Sequence, residues 1–318
     1  MSKIDLQIQS KNALAKRISS KRLSEKQARE LIDFVISNYE SLWKDNLSAS
    51  QPNKGKWVRS AYGTELGTLL RLIDKRVLAE YDNHLPSFIY GGRSGQSNVT
   101  AAKHLLGYEK ERSLLAVDIS KFFENVTAGK VNRFYQTVGC GERFSRSLTK
   151  LSCVHIGPKN KPESTIALAR GFSTSTRLAI WSYMNAFYQI NDLIHAELDQ
   201  YDPRIAIFID DIGVSASRVS EEVLLSLAPK IDNILNKESG GKLQLNSSKT
   251  TVMDFNSGIE HLGVVLTRKK LVLPREHQAK KDWYTYRFES TKSKRAKAIR
   301  DGYRRYEASI RKQNHPAL

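Results

Sequence analysis

Cysteine is scarce. Cys140 and Cys153 are the only two, too few for a disulfide scaffold or a self-contained zinc site. Long apolar runs are missing as well: no stretch approaches the roughly 20 uncharged apolar residues that a membrane-spanning helix needs. The N-terminal MSKIDLQIQSKNALAKRISSKRL has no apolar core of the kind a signal peptide carries, and a soluble cytoplasmic protein is the expectation. Acids are in deficit: 33 Asp and Glu face 51 Lys and Arg, giving a formal net charge of +18 and a pI near 9.8. That excess says nothing about fold but favours a polyanionic partner, nucleic acid or an acidic membrane surface. The basic segments lack the strong apolar face of a membrane-surface helix, which leaves nucleic acid ahead. With 40% hydrophobic and 9% aromatic residues the chain is neither wholly disordered nor collagen-like. Its 318 residues are about twice an average domain, so two or three subdomains are expected.

Periodicity makes residues 1–45 helical, with an apolar stretch from Ala28 to Trp43 capped near Ser24. SASQPNKGK at 48–56 is a loop by composition. Leu66, Leu69, Leu70, Ile73, Val77 and Leu78 place a helix over 64–81, and Pro86 ends that region. The cationic loop Tyr90-Gly91-Gly92-Arg93-Ser94-Gly95 precedes a helix over 99–111. Leu114 to Ile119 is an apolar run holding one acid, Asp118, and predicts a buried strand. Helices are expected over 128–138, 142–156 and 174–198, with a polar loop containing two prolines at 157–164. Arg204 to Ser215 gives two apolar runs joined at Asp210-Asp211, a hairpin without the favoured Asn-Gly turn. A helix over 219–236, a short strand at 242–245, a hairpin over 259–273 and a helical end from Arg275 to Lys312 complete the pattern. Between Arg268 and Lys312, 16 Lys and Arg stand against 5 Asp and Glu.

Adjacent acids in an apolar segment are costly, because each buried carboxylate loses hydration and the two repel. A divalent cation removes both penalties at once. Asp118 is the natural third ligand if its strand lies beside the 204–215 hairpin. Three carboxylates suit Mg²⁺, which takes hard oxygen ligands and is often completed by substrate phosphates. Two such ions can activate a 3′-hydroxyl and stabilise leaving pyrophosphate in an in-line phosphoryl transfer. Taken alone, an Asp-Asp pair is more often a solvent-facing turn and Asp118 a cap or loop residue. Their joint presence in a basic chain shifts the balance.

In order along the chain, the motifs resemble those of a reverse transcriptase, of the bacterial retron-like and related defence-associated type. Val117-Asp118-Ile119-Ser120-Lys121-Phe122-Phe123 resembles the family's strand-borne acid followed by paired aromatics, and Phe208-Ile209-Asp210-Asp211 its Tyr-x-Asp-Asp hairpin. Ala169-Arg170-Gly171-Phe172-Ser173-Thr174-Ser175 stands where the family has a Pro-Gln-Gly loop opening a helix. Asn246-Ser247-Ser248-Lys249-Thr250 is similar to its Asn-x-x-Lys-Thr, and His261-Leu262-Gly263-Val264-Val265 to its Leu-Gly hairpin. Asn98 to His104 is loosely similar to the retron Asn-Ala-x-x-His region.

The resemblance implies an α+β right-hand polymerase fold. Its parts would be an N-terminal helical region with reduced fingers at 1–89, a fingers and palm core with an RRM-like antiparallel sheet at 90–274, and a basic helical thumb at 275–318. It implies RNA-directed DNA polymerisation. Asp118, Asp210 and Asp211, with the Ile119 carbonyl, would hold two Mg²⁺ ions, or Mn²⁺ in their place. Phe123 would be the ring that crowds a 2′-hydroxyl, and Arg170 and Gly171 part of the nucleotide-binding wall. Lys249 would sit near the incoming triphosphate. Arg93, the His261–Leu262 turn, and Lys280, Lys281, Arg304 and Arg305 on aromatic-interleaved helices would contact nucleic acid. Plainer roles stay open for each: Phe123 as core, Lys249 and Arg93 as surface cations, the C-terminal helices as a solvated pair. The implied partners are a structured noncoding RNA, an RNA/DNA hybrid product and nucleoside triphosphates, in a setting of antiphage defence. An effector protein, a second polymerase subunit or a homo-oligomer remains open.

Several departures matter. Arg170 stands where the family has Gln, and a guanidinium is longer, planar and always charged. Ala169 and Thr176 replace prolines, and Phe208 replaces a tyrosine. The region from Lys54 to Arg76 has cations but no proline and no clear strand alternation, so the fingers are expected to be reduced or rebuilt. A nucleotidyl transferase with weak template dependence, or a non-catalytic RNA-binding subunit, are therefore the alternatives.

Overall fold

The computed structural model of the protein describes residues 5–107, 111–256 and 258–314. The N-terminal part is built on capped helices. In α1 (Lys11–Ile18) the Ser10 side chain accepts the Ala13 N–H, and α2 (Glu25–Asn38) opens on a reciprocal box between Ser24 and Gln27. The chain then turns into two short antiparallel strands, β1 (Lys44–Asp45) and β2 (Arg59–Ser60), with Asp45 opposite Arg59. A bond from Asn46 N–H to Val58 O (2.8 Å) and a Gln51–Lys56 bridge carry the pairing toward the tip. The loop expected at 48–56 is thus the end of a hairpin, invisible as alternation because each strand is only two residues long. In α3 (Glu65–Ile73) the Thr64 side chain accepts the Gly67 N–H. The helix expected to reach residue 81 loosens beyond Ile73 into a π turn at Asp74–Leu78 and 3₁₀ turns at Ala79–His84.

Ser97 caps α4 (Asn98–Leu105), which stops short of the expected residue 111. Gly107 has φ 58°, a left-handed residue that glycine adopts without strain, and residues 108–110 of the expected helix lie outside the described ones. After β3 (Arg112–Asp118) come α5 (Phe122–Asn125), α6 (Ala128–Thr137) and α7 (Glu142–Ser152). The helix expected to 156 ends at Ser152 because β4 (Cys153–His155) pairs with β5 (Ile166–Leu168) across the two-proline loop. The expected single helix over 174–198 is two, α8 (Ser175–Ser182) and α9 (Met184–Leu198), parted at Tyr183.

β6 (Arg204–Phe208) and β7 (Asp211–Ser217) follow, then α10 (Glu221–Leu225) and α11 (Leu227–Ser239) in place of one helix over 219–236. Pro229 explains that break: it lacks an N–H and is tolerated only in a helix's first turn. Residues 242–245 give no strand, only a bridge between Leu245 and Ile119. Beyond β8 (Thr251–Asp254), the expected hairpin at 259–273 is three strands, β9 (Ile259–His261), β10 (Val264–Leu266) and β11 (Leu271–Val272), in the order β11-β10-β9. The chain closes with two long helices, α12 (Arg275–Thr291) and α13 (Lys294–Asn314), turned at Lys292 with φ 51°.

The fold is mixed α and β around a four-stranded antiparallel sheet of order β6-β7-β3-β8. Alternation along β3 divides two cores. Leu115 and Val117 join Ile205, Ile207, Ile212 and Val214 against the N-terminal and central helices. Leu114 and Ala116 face the other way, with Ala206, toward α4, Phe255, Ile259, Val264 and Ile310. Covering both faces is what makes β3 an unbroken apolar run. Among the described residues no helix is long and apolar enough to cross a membrane.

Candidate active site

Register decides where the acids meet. β3 and β7 pair so that Asp118 lies opposite Asp211, and the Ile119 N–H donates to Asp210 O at 2.8 Å. Only Ile209 and Asp210 separate the paired Phe208 and Asp211. Ile209 takes φ 64°, a left-handed conformation that is strained for a β-branched residue and persists only where surroundings impose it. The surroundings are residues 88–91. Ile207 N–H donates to Phe88 O (2.8 Å), and Tyr90 and Gly91 N–H return to Ile207 O (2.9 and 3.2 Å). A Cβ on Gly91 would lie 2.3 Å from Ile209 N, so a side chain there would displace the turn. In the cationic loop expected at 90–95, the first glycine is thus a buttress for the Ile209 turn. Arg93 is half-buried and donates to Pro86 O at 3.3 Å.

On the other side of Asp118, Asn246 N–H donates to Asp118 O at 2.8 Å. The Asn246 side chain accepts the Ser248 N–H at 3.2 Å, capping a single 3₁₀ turn that ends at Lys249. This is the physical content of the Asn-x-x-Lys spacing: the cap fixes the turn, and the turn delivers the ammonium. Lys249 Nζ ion-pairs with Asp118 Oδ1.

Phe122 is fully buried against Tyr183 and Phe187, while Phe123 is 7% exposed. Arg170 covers the latter, its guanidinium carbon 4.7 Å from the ring centre. Gly171 has φ 101°, and a Cβ there would lie 2.4 Å from Arg59 O. Its lack of a side chain serves close packing against β2, where Arg59 N–H also donates to Arg170 O at 2.6 Å.

Burial raises the Asp210 carboxyl above the ordinary value, with Asp118 adding to the effect. Asp211 is pushed up to about 6 by burial, then by Asp210 and Asp118. Lys249 and Lys56 oppose this at Asp211, Arg170 and Lys56 at Asp210. Lys56, one of the cations of the 54–76 region, acts on the site although none of the motifs includes it. Gly55, at φ 65°, makes the left-handed turn at the hairpin tip just before it. The three carboxylates form a hard-oxygen donor set short of positive charge, which fits a divalent cation. Among the described residues, no group of three or more His, Cys, Asp or Glu side chains is arranged as it stands to hold a metal ion.

The remaining expected residues are spread out. His261 is buried against Gly213 of β7, and burial pushes its imidazole down to about 4. Leu262 and Gly263, at φ 54° and 71°, form the two-residue turn between β9 and β10. Leu262 O accepts from Asn98 Nδ2 at 2.7 Å, and Gly263 O from the Tyr306 hydroxyl at 2.9 Å, which docks α13 on this turn. Lys281 pairs with Glu307 at 2.9 Å and Lys280 with Glu276, whereas Arg304 and Arg305 are exposed. Trp283 and Tyr286 are exposed as well, Trp283 beneath the Arg287 guanidinium at 5.0 Å.

A family model described as reverse transcriptase (RNA-dependent DNA polymerase) matches residues 59–266, more than half of the chain. The chain belongs to the reverse transcriptase family. It is an RNA-dependent DNA polymerase, a nucleotidyltransferase. The matched segment of this reverse transcriptase runs from the first residue of β2 to the last of β10, and so contains the central sheet, all three acids and the Arg170 loop. No curated protein matches the chain. Enzymes of this family bind nucleic acid and nucleotides and generally use divalent ions, typically Mg²⁺.

Proposed function

We propose that the reverse transcriptase makes a short, specialised DNA from an associated structured noncoding RNA, as part of cytoplasmic antiphage defence. The single observation that carries the catalytic part is the register of β3 on β7, which sets Asp118 opposite Asp211 beside the strained Ile209-Asp210 turn. In this reading residues 1–89 are the fingers side, 90–274 the core with the β6-β7-β3-β8 sheet as palm, and 275–318 the thumb.

Asp118, Asp210, Asp211 and the Ile119 carbonyl would hold the divalent ions, Mg²⁺ or Mn²⁺. When bound, such ions lower the pKa of an attacking hydroxyl and neutralise charge on the leaving pyrophosphate. The chain's own residues do the rest. Lys249 and Lys56 flank the acids and place positive charge where an incoming triphosphate needs it. Phe123 lies under the sugar and crowds a 2′-hydroxyl, with Arg170 and Gly171 forming the adjoining wall. Arg93, the Leu262 turn with His261 packed beneath it, and Lys280, Lys281, Arg304 and Arg305 line the nucleic-acid path, where cations set affinity and exposed aromatics stack on unpaired bases. An effector protein, a second polymerase subunit or a second copy of the chain would complete the assembly.

A transferase with weak template dependence is the second reading, favoured by Arg170 standing in place of glutamine. The native complex, purified with its own nucleic acid, separates the two. It is supplied with Mg²⁺ and each labelled dNTP or NTP beside an Asp210→Asn, Asp211→Asn protein, and products are sequenced. DNA that matches a bound RNA and vanishes in the variant is the expected result. Metal-dependent product without a complementary template would favour the transferase. Tightly bound RNA with no product from any nucleotide would make the chain a binding subunit.

A further inference from the structure

We infer that Arg170 and Glu124 form a clamp that fixes the ring of Phe123 and thereby sets how strictly the enzyme rejects ribonucleotides. The inference rests on the reading that the nucleotide sugar lies against Phe123.

The geometry is that of a fork on a carboxylate. Arg170 Nε donates to Glu124 Oε1 at 2.9 Å and Nη2 to Oε2 at 3.1 Å. Two parallel bonds fix the guanidinium plane as well as its position. Both side chains are largely enclosed, 20% and 13% exposed, so water competes little for either partner. With its edge held by Glu124, the same guanidinium lies over the Phe123 ring, 4.7 Å from the centre, where a cation is attracted to the aromatic face.

Each end of the clamp is anchored. Glu124 is the residue after Phe123 on the four-residue helix α5, so the carboxylate and the ring move together. Arg170 is fastened through its backbone: Arg59 N–H donates to Arg170 O at 2.6 Å, and the neighbouring Ala169 N–H to Ser152 O at 3.0 Å. The Ser175 hydroxyl donates to Ala169 O at 2.6 Å. Phe123 also meets Phe122, with ring centres 6.0 Å apart. A ring enclosed in this way cannot retreat when a bulkier sugar arrives.

A glutamine at this position would lack both the fork and the cation. An amide can exchange a single hydrogen bond with Glu124, and it carries no charge for the ring face. The departure of this chain from its family at residue 170 therefore has a local use. Arg170 acts through Phe123 as a positioning residue, its guanidinium already committed to a carboxylate and a ring.

The experiment measures kcat/KM for a dNTP and for the matching NTP, with the full chain on a primed RNA template. The proteins are the unaltered chain, Phe123→Ala, Arg170→Gln, Arg170→Lys, Glu124→Gln, and Arg170→Gln with Glu124→Gln. The readout is the NTP-to-dNTP ratio of efficiencies, which a general loss of folded protein leaves unmoved. Phe123→Ala is expected to raise that ratio about a hundredfold, and Arg170→Gln and Glu124→Gln about tenfold each, on the scale set by one displaced packing contact. The double variant is expected to match either single one, because the two residues act as a unit. Arg170→Lys, with a single ammonium, is expected to resemble Arg170→Gln. If Phe123→Ala moves the ratio and the Arg170 and Glu124 variants do not, the ring discriminates without a clamp and the inference is wrong. An unmoved ratio in Phe123→Ala would remove the underlying reading of Phe123, and the clamp with it. If Arg170→Gln lowers efficiency equally for both nucleotides while Glu124→Gln does nothing, Arg170 is a direct nucleotide ligand, which also overturns the inference.

Discussion

Metal-free protein carrying Asp211→Asn is expected to melt at a higher temperature than the unaltered chain, while nucleotide incorporation falls by about a hundred- to a thousandfold or more. The two effects have one origin. Asp211 is pushed up to about 6 by burial and by the charges of Asp210 and Asp118. A carboxyl whose folded pKa lies above its unfolded one binds its proton more tightly in the native state. Its contribution is therefore most favourable below about pH 4 and is lost as pH rises through about 6. At neutral pH the elevation from 3.8 to about 6 corresponds to roughly 2–3 kcal/mol of lost stability.

Asparagine keeps the shape and removes the charge. The gain in melting temperature should be largest above pH 7, shrink toward pH 5, and disappear near pH 4. Adding Mg²⁺ should stabilise the unaltered chain more than the variant, because the variant has one carboxylate fewer for the ion to neutralise. Thermal melts at four pH values, with and without Mg²⁺, check this. A variant that melts lower than the unaltered chain at pH 7.5 would show that Asp211 is held by contacts other than these charges. Activity and stability then oppose each other at one residue, as expected where function requires charges to converge.

Arg59→Met should be among the most destabilising single changes outside the hydrophobic core, costing about 3–5 kcal/mol. Arg59 is a buried cation, 2% exposed. Its guanidinium pairs with Asp45, donates to His155 O at 3.0 Å and to Gly157 O, and lies 5.4 Å from the Trp43 ring centre. Methionine fills much of the volume but leaves two carbonyls and one side of Asp45 without a donor. Asp45 keeps its bond from Lys159 N–H at 2.8 Å, which softens the loss without removing it. Because the Arg59 side chain ties β2 to β4 and the loop after it, the hairpin that carries Lys56 should loosen too. The expected signs are a melting temperature lower by several degrees, faster proteolysis within 48–56, and a raised KM for dNTP. Lysine should not rescue, since one ammonium cannot serve a carboxylate and two carbonyls together. A melting temperature within a degree of the unaltered chain would contradict this role.

The convergence of the acids was legible: an apolar strand ending in Asp118 and an Asp-Asp pair between two apolar runs come together once those strands pair. The turn itself was not. Nothing in Phe208-Ile209-Asp210-Asp211 says that Ile209 takes a left-handed conformation, or that Gly91, over a hundred residues earlier, leaves room for it. The hairpin at 44–60 escaped detection because Arg59 holds it from below through distant partners in β4 and the loop after it, while its strands are too short to alternate. The helix break at Tyr183 is announced by no loss of apolar period, whereas the one at Ser226 has its signal in the sequence, Pro229 three residues on. Arg170 was visible as an unusual residue, but its partner was not. Only the folded chain brings Glu124 to the guanidinium.

Whether the three acids at the β3–β7 junction run template-directed DNA synthesis is tested most directly by extending a DNA primer on RNA templates that differ in one base. Each dNTP is supplied singly with Mg²⁺, to the full chain and to its Asp211→Asn form. Addition of the nucleotide complementary to the varied base, lost in the variant, is the expected result. Addition of the same nucleotide on every template, or equal addition by the Asp211→Asn protein, would contradict it.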